Sequence, residues 1–242
     1  MEHTPFDNDS SKPSIISQYE KLTHTNDNIY LEVDDFELIA EHYMRNDSHS
    51  DALKVIDKAL EQYYYNVALY RLKATIFIGQ GRFDKALPVI RAAFALAPED
   101  HLLKLLEIEC IAFQGNEREA LARINSLAEY CDEEEMIDAL FVQAKIYERM
   151  TDYGAIFDTL KALLEIDPSN PTALEKIWFC VELSGRYEES VEFHQSIIDE
   201  QPYNYLAWYN LGHAYTCLDD LDNALISYEY TFLTNEDFEY GY

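Results

Sequence analysis

The sequence predicts an all-α protein, an α-solenoid of antiparallel helix pairs. Three observations carry that expectation. From Val33 onward a turn-to-helix signature recurs: Gly81-Arg82-Phe83 with Ala86, Gly115 with Ala120, Thr151-Asp152-Tyr153 with Ile156, Gly185-Arg186-Tyr187 with Ser190, and Asp219-Asp220-Leu221 with Ala224. The step is 34 residues except from Gly115 to Thr151, where it is 36, and a period of this length is the mark of stacked supersecondary units. Pro98, Pro168 and Pro202 keep the same beat at the ends of second helices. Finally, hydrophobic residues make up 48% while Gly and Pro number only 7 each, a composition suited to long helices with short turns rather than to disorder.

Residues 1–32 carry no repeat signal. Ser10, Ser11, Pro13 and Ser14 suggest a flexible arm, whereas Ile15, Ile16, Tyr19 and Leu22 suit a short capping helix over the first repeat, and both readings stay open. Six repeats then follow at 33–66, 67–100, 101–134, 137–170, 171–204 and 205–238, with a two-residue insertion near the acidic run Asp132–Glu135. Asn66, Asp100, Asn170 and Asn204 close repeats where a side-chain oxygen can accept from the free N–H groups opening the next helix. Pro171 falls at a first helical position, where its missing N–H costs nothing. Gly81, Gly115 and Gly185 supply the left-handed residue that ends a helix, and Ser48, Asn116, Asp152 and Asp220 offer caps for second helices. Residues 239–242 stand where a further helix would start, here truncated.

The last repeat shows whose pattern this is. Trp208, Leu211, Gly212 and Tyr215, followed by Ala224 and Tyr228, reproduce Trp-x2-Leu-Gly-x2-Tyr and then Ala-x3-aromatic; Glu236 replaces the usual closing Pro. The chain resembles the tetratricopeptide repeat (TPR) proteins over about 204 of its residues. That resemblance implies a right-handed superhelix in which the eighth and twentieth positions of each repeat meet closely. The pairs are Ala40/Ala52, Ala74/Ala86, Ile108/Ala120, Ala144/Ile156, Trp178/Ser190 and Gly212/Ala224, none with two large members. Position eleven is apolar throughout (Tyr43, Phe77, Ile111, Tyr147, Val181, Tyr215), which places many of the 19 Tyr in or beside the core. The third repeat is the weakest match, with Lys104 and Glu107 at positions that are usually apolar.

Composition narrows the chemistry. Lys and Arg total 18 against 46 Asp and Glu, a balance that repels phosphate backbones and argues against nucleic acid. No basic-then-apolar leader opens the chain and no run of 18 apolar residues occurs, so the expectation is a soluble, cytoplasmic protein without membrane insertion. Cys110, Cys131, Cys180 and Cys217 form no CxxC pair and read as reduced small side chains. The seven His, among them His42, His194 and His213 on helices, show no metal-ligand spacing. Gly79-Gln80-Gly81 follows no strand and is not a phosphate loop, while Asp132–Glu135 lacks the form of a calcium loop and reads as a solvated turn. No catalytic set, metal or cofactor is expected.

In the family, positions two, five, nine, twelve and thirteen line a concave groove that chooses the partner. Carried onto this sequence, they nominate Arg71, Leu105, Phe113, Phe141, Lys145, Arg149, Phe179, Tyr209 and His213. No fifth position is Lys and no ninth is Asn, so the carboxylate clamp of TPR co-chaperones is not repeated. What remains is an acidic entrance, an apolar and aromatic middle, and isolated cations at Arg71, Lys145 and Arg149. The implied function is a non-catalytic interaction scaffold holding a peptide or helix of another protein in that groove. Alternatively Phe113, Phe141 and Phe179 only pack against neighbouring helices, and the chain is a structural subunit that self-associates through its terminal repeats. For that case Tyr230, Phe232 and Leu233 are the candidate interface, since the last helix of a stack shows an apolar face unless a polar cap follows.

Overall fold

The structure is a computed structural model that describes residues 12–25, 30–236 and 238. Ser10, Ser11 and the nominated start of a further helix at 239–242 lie outside the described residues. The described residues form thirteen α-helices and no strand. In order these are α1 (Lys12–Thr25), α2 (Val33–Arg45), α3 (His49–Gln62), α4 (Val67–Gly79), α5 (Phe83–Phe94), α6 (His101–Phe113), α7 (Glu117–Ala128), α8 (Glu133–Met150), α9 (Tyr153–Ile166), α10 (Pro171–Ser184), α11 (Tyr187–Glu200), α12 (Tyr205–Cys217) and α13 (Leu221–Thr234). The chain is an all-α solenoid of helix pairs, divided into two compact units, Met1–Cys110 and Ile111–Tyr242.

Each pair is turned by one residue in the left-handed region. Asp47, Gly81, Gly115, Thr151, Gly185 and Asp219 have φ between +56° and +92°, and they follow one another at 34, 34, 36, 34 and 34 residues. In five of the six turns the next N–H reaches back to the carbonyl of the apolar residue five positions before it. Ser48 thus donates to Tyr43 (2.8 Å), Arg82 to Phe77 (2.8 Å), Asn116 to Ile111 (3.2 Å), Asp152 to Tyr147 (3.1 Å) and Asp220 to Tyr215 (3.0 Å). This bond satisfies a carbonyl that a helix end otherwise leaves open. Glycine adopts the conformation freely, but a β-branched residue does not, so Thr151 at φ +56° carries strain.

The caps between pairs are as the sequence implies. The side chains of Asn66, Asp100, Asn170 and Asn204 accept from the backbone N–H three residues ahead at 2.9–3.1 Å. Among the second helices, Asp152 and Asp220 cap in the same way, but Ser48 and Asn116 do not. The Ser48 hydroxyl instead donates back to the Asn46 carbonyl at 3.5 Å. The acidic run expected as a solvated turn is another correction. Asp132 is the N-cap of α8, in a reciprocal capping box with Glu135, and Glu133, Glu134 and Glu135 form the first helical turn. Carboxylates there face the positive end of the helix dipole, so the run starts a helix rather than interrupting one.

In the first unit α1 lays Ile15, Ile16 and Tyr19 on a core that includes Phe36, Ile39, Val55, Ile56 and Leu69, and the Tyr43 hydroxyl donates to Glu20 at 3.4 Å. The Ala40/Ala52 and Ala74/Ala86 contacts are fully buried. In the second unit one core joins α8 to α12 through Phe157, Leu160, Leu163, Ile177, Ile197 and Leu211. Gly212 is required by contact: a Cβ there would stand 2.8 Å from the Tyr228 ring. Of the five pairs that lie within one unit, α10 and α11 approach least closely, and theirs is the pair with Trp178 at the eighth position.

His194 lies fully buried in α11. Its Nδ1 is 2.8 Å from the Ser190 carbonyl, so that nitrogen carries the proton, and Nε2 has no hydrogen-bond partner. Burial pushes its pKa down from 6.5 to about 4, against the Ser190 carbonyl, which favours the charged form. The unfolded chain therefore binds the proton first as pH falls, and stability is lost progressively from about pH 6.5 towards 4. By pH 5.5 the loss from this group should be about 1 kcal/mol. Urea midpoints of the native protein and His194→Leu at pH 7.5 and 5.5 should diverge by that amount; parallel midpoints would show that His194 is not held neutral.

Candidate functional site

The second unit contains a cleft of about 470 Å³ walled by α8 and α10 and floored by α9. On α8, Phe141, Lys145 and Glu148 are spaced four and three residues apart and so share a face. On α10, Thr172, Glu175, Lys176 and Phe179 do the same, and Tyr153, Ile156 and Leu160 of α9 close the bottom. Phe179 remains 47% exposed. It meets Tyr153 edge to face with ring centres 5.8 Å apart, and Trp178 at the same distance. Phe179 thus keeps about half of its surface open beside two other aromatic rings.

The charges here are concentrated and mixed. Residues 111–242 contain 27 acidic and seven basic side chains. Two of those seven, Lys145 and Lys176, line this cleft opposite Glu148 and Glu175. Cys180 stands in the wall, and burial pushes its thiol up to about 11, so it stays protonated at neutral pH and is no nucleophile.

A second cavity of about 310 Å³ lies between α10 and α12, lined by Leu174, Glu175, Trp178, Leu206, Tyr209 and Phe238. Glu175 and Trp178 belong to both hollows. Tyr209 meets Tyr228 at 5.8 Å and Phe238 at 5.3 Å between ring centres. His213 is wedged between the Trp178 ring (5.3 Å) and Glu182, whose Oε2 is 3.7 Å from Nε2. Burial lowers its pKa, and the Glu182 carboxylate opposes the shift.

The structure thus gathers Phe141, Lys145 and Phe179 in one hollow and sets Tyr209 in the next, with His213 against the shared Trp178. The other nominated residues stand differently. Leu105 is 3% exposed and is packed away from solvent. Arg71 and Arg149 are not isolated cations. Arg71 pairs with Asp100 at 3.5 Å; Arg149 pairs with Glu117 at 3.5 Å and holds its guanidinium 4.5 Å from the Phe113 ring centre. Both arginines thus tie neighbouring segments together. Sequence reasoning missed Tyr153, Trp178, Lys176 and Phe238. The first two were assigned to turn and packing roles, Lys176 lies outside the family's groove positions, and no periodic signal marks Phe238.

At the end of the second unit α13 carries a broad apolar surface. Tyr230 stacks on Trp208 at 4.5 Å with planes 16° apart, Phe232 is half-buried, and Leu233 is 76% exposed. Leu221 and Leu225, at 62% and 60%, extend the surface beyond the three residues nominated from sequence. Among the described residues no helix is long and apolar enough to cross a membrane.

Comparison with known proteins agrees with this architecture. Tetratricopeptide repeat family models match residues 38–101 and 205–229. The human protein O-mannosyl-transferase TMTC1 is 22% identical over 183 residues, which are 72% of this chain and 19% of that protein. The chain therefore spans about a fifth of that relative's length. Among solved structures, the type IV pilus biogenesis factor PilW superposes with a TM-score of 0.55 at 15% identity, over 85% of this chain and 94% of that one. PilF of Pseudomonas aeruginosa gives 0.52 at 12% identity, over 95% and 96%. At these identities the likeness concerns the fold.

Proposed function

Because this chain is a tetratricopeptide repeat protein, we propose that it holds a segment of a partner protein in the cleft between α8 and α10. The fold supports an interaction-scaffold role in general, and proteins of this fold are usually non-catalytic. The transferase activity in the name of the human relative belongs to a protein of which this chain matches 19%, and it is not carried over. The observation that favours the cleft is the convergence of Phe141, Phe179, Tyr153 and Trp178 on one hollow with Lys145, Lys176, Glu148 and Glu175 around it. Aromatic walls with polar groups at the edge suit an anchored side chain of a peptide or helix, and the volume is in the range of protein ligand sites. The reading includes no nucleic-acid partner, given 46 acidic against 18 basic residues, no cofactor, and a cytoplasmic setting in which the four cysteines stay reduced.

A second reading rests on α13. Leu221, Leu225 and Leu233 are exposed beside Tyr230, and a patch of this kind marks an interface. In this reading the chain is a structural subunit that self-associates through that helix.

Two experiments separate these readings. Proteins captured by the native chain should be lost, by tenfold or more, with Phe179→Ala combined with Lys145→Glu, each variant being folded by circular dichroism. Undiminished capture would remove the cleft from the account. For α13, equilibrium sedimentation at 100 µM (an order-of-magnitude choice for weak association) should show association abolished by Leu225→Glu with Leu233→Glu. A native protein that stays monomeric there rules the self-association reading out.

A further inference from the structure

Phe238 stands where other repeats place a capping side chain. The backbone N–H groups of Asn66, Asp100, Asn170 and Asn204 each bond to the carbonyl three residues back, and their side chains cap the helix that follows. The Phe238 N–H makes the same bond to Asn235, at 3.4 Å, but phenylalanine has no acceptor and cannot cap. Its ring lies instead on α12, with centres 5.1 Å from Tyr205 and 5.3 Å from Tyr209, both edge to face. It forms one side of the α10–α12 cavity with Leu174, Trp178 and Leu206. Among the described residues the only charged one lining that cavity is Glu175.

We propose that this surface of α10 and α12 is a recognition site for an aromatic side chain flanked by basic residues, and that Phe238 occupies it in cis until such a partner displaces it. The geometry supplies the aromatic preference: Tyr205, Tyr209 and Trp178 give three ring surfaces, and the Phe238 ring already lies edge to face on the first two. Charge supplies the rest. In sequence Phe238 is flanked by Glu236, Asp237 and Glu239, beside Glu175 and within a unit of 27 acidic and seven basic residues. The cis segment is therefore a poor electrostatic match for its own site. A segment carrying Lys or Arg around the same ring gains where the cis segment loses. The site uses a different cavity from the α8–α10 cleft, so its test stands or falls apart from that of Phe179.

Three synthetic peptides test it in 0.15 M salt, where bare long-range attraction is screened. One has the sequence of residues 233–242, the second has Lys in place of Glu236, Asp237 and Glu239, and the third adds Phe238→Ala to the second. Binding is followed by calorimetry to the native chain and to its Phe238→Ala variant, with Tyr209→Ala in the same background as the site control. The lysine peptide should bind Phe238→Ala at least tenfold more tightly than it binds the native chain. It should exceed the acidic peptide, and lose binding without its Phe or with Tyr209→Ala. Equal affinity for the native and Phe238→Ala proteins, retention by the Phe-less peptide, or indifference to Tyr209→Ala would each overturn the proposal. If Phe238→Ala lowers the melting temperature, Phe238→Leu, which keeps apolar bulk without a ring, replaces it and must give the same ranking.

Discussion

One backbone constraint underlies every pair in this protein: a single residue between its two helices takes a positive φ. In five of the turns that residue lets the next N–H close on the carbonyl of an apolar, core-facing residue. The turn thereby fixes which face of each helix points inward, and side-chain packing follows from it. Where the backbone holds two helices this close, small residues are required, as at Ala40/Ala52 and at Gly212 under the Tyr228 ring. Hydrophobic burial then contributes most of the stability, but it acts on helices whose register the turns have already set.

The cleft follows from the same rule applied unevenly. α10 packs directly along α12, whereas α8 and α10 are joined through α9, whose Tyr153, Ile156 and Leu160 reach up between them. Trp178 adds its ring on the α10 side. The result is a hollow lined by Phe141, Tyr153, Trp178 and Phe179, with two of the second unit's seven cations around it. A surface of this kind does not need a catalytic group to be specific. Phe238 walls the neighbouring hollow with its ring edge to face on Tyr209.

Much of this was legible in the residues because the determinants are local and periodic. The left-handed glycines, the Asn and Asp caps between pairs and the small residues at close contacts each act within a few positions of themselves. Less legible was whatever depends on a competing local signal or a distant partner. Asp132–Glu135 has the composition of a solvated turn, and only the cap-to-Glu spacing of three, present in the sequence, distinguishes a helix start. Arg71 and Arg149 looked available because their partners Asp100 and Glu117 lie 29 and 32 residues away in sequence. Leu105 fell on a groove position but is buried. Tyr153 and Trp178 reach the cleft from positions that the repeat pattern assigns to turns and packing.

Thr151 offers the most direct measurement of the turn constraint, because it joins α8 to the floor of the cleft and is β-branched at φ +56°. Replacing it with Gly removes a steric cost of about 1–2 kcal/mol for a left-handed L-residue and adds about 0.5–1 kcal/mol of unfolded-state entropy. If the turn is the constraint described, Thr151→Gly should raise the urea midpoint, with a net gain of roughly 0.5–1 kcal/mol and an unchanged slope. A lower midpoint would mean that the left-handed conformation at Thr151 is not strained, and that the turns do not set the register of the pairs.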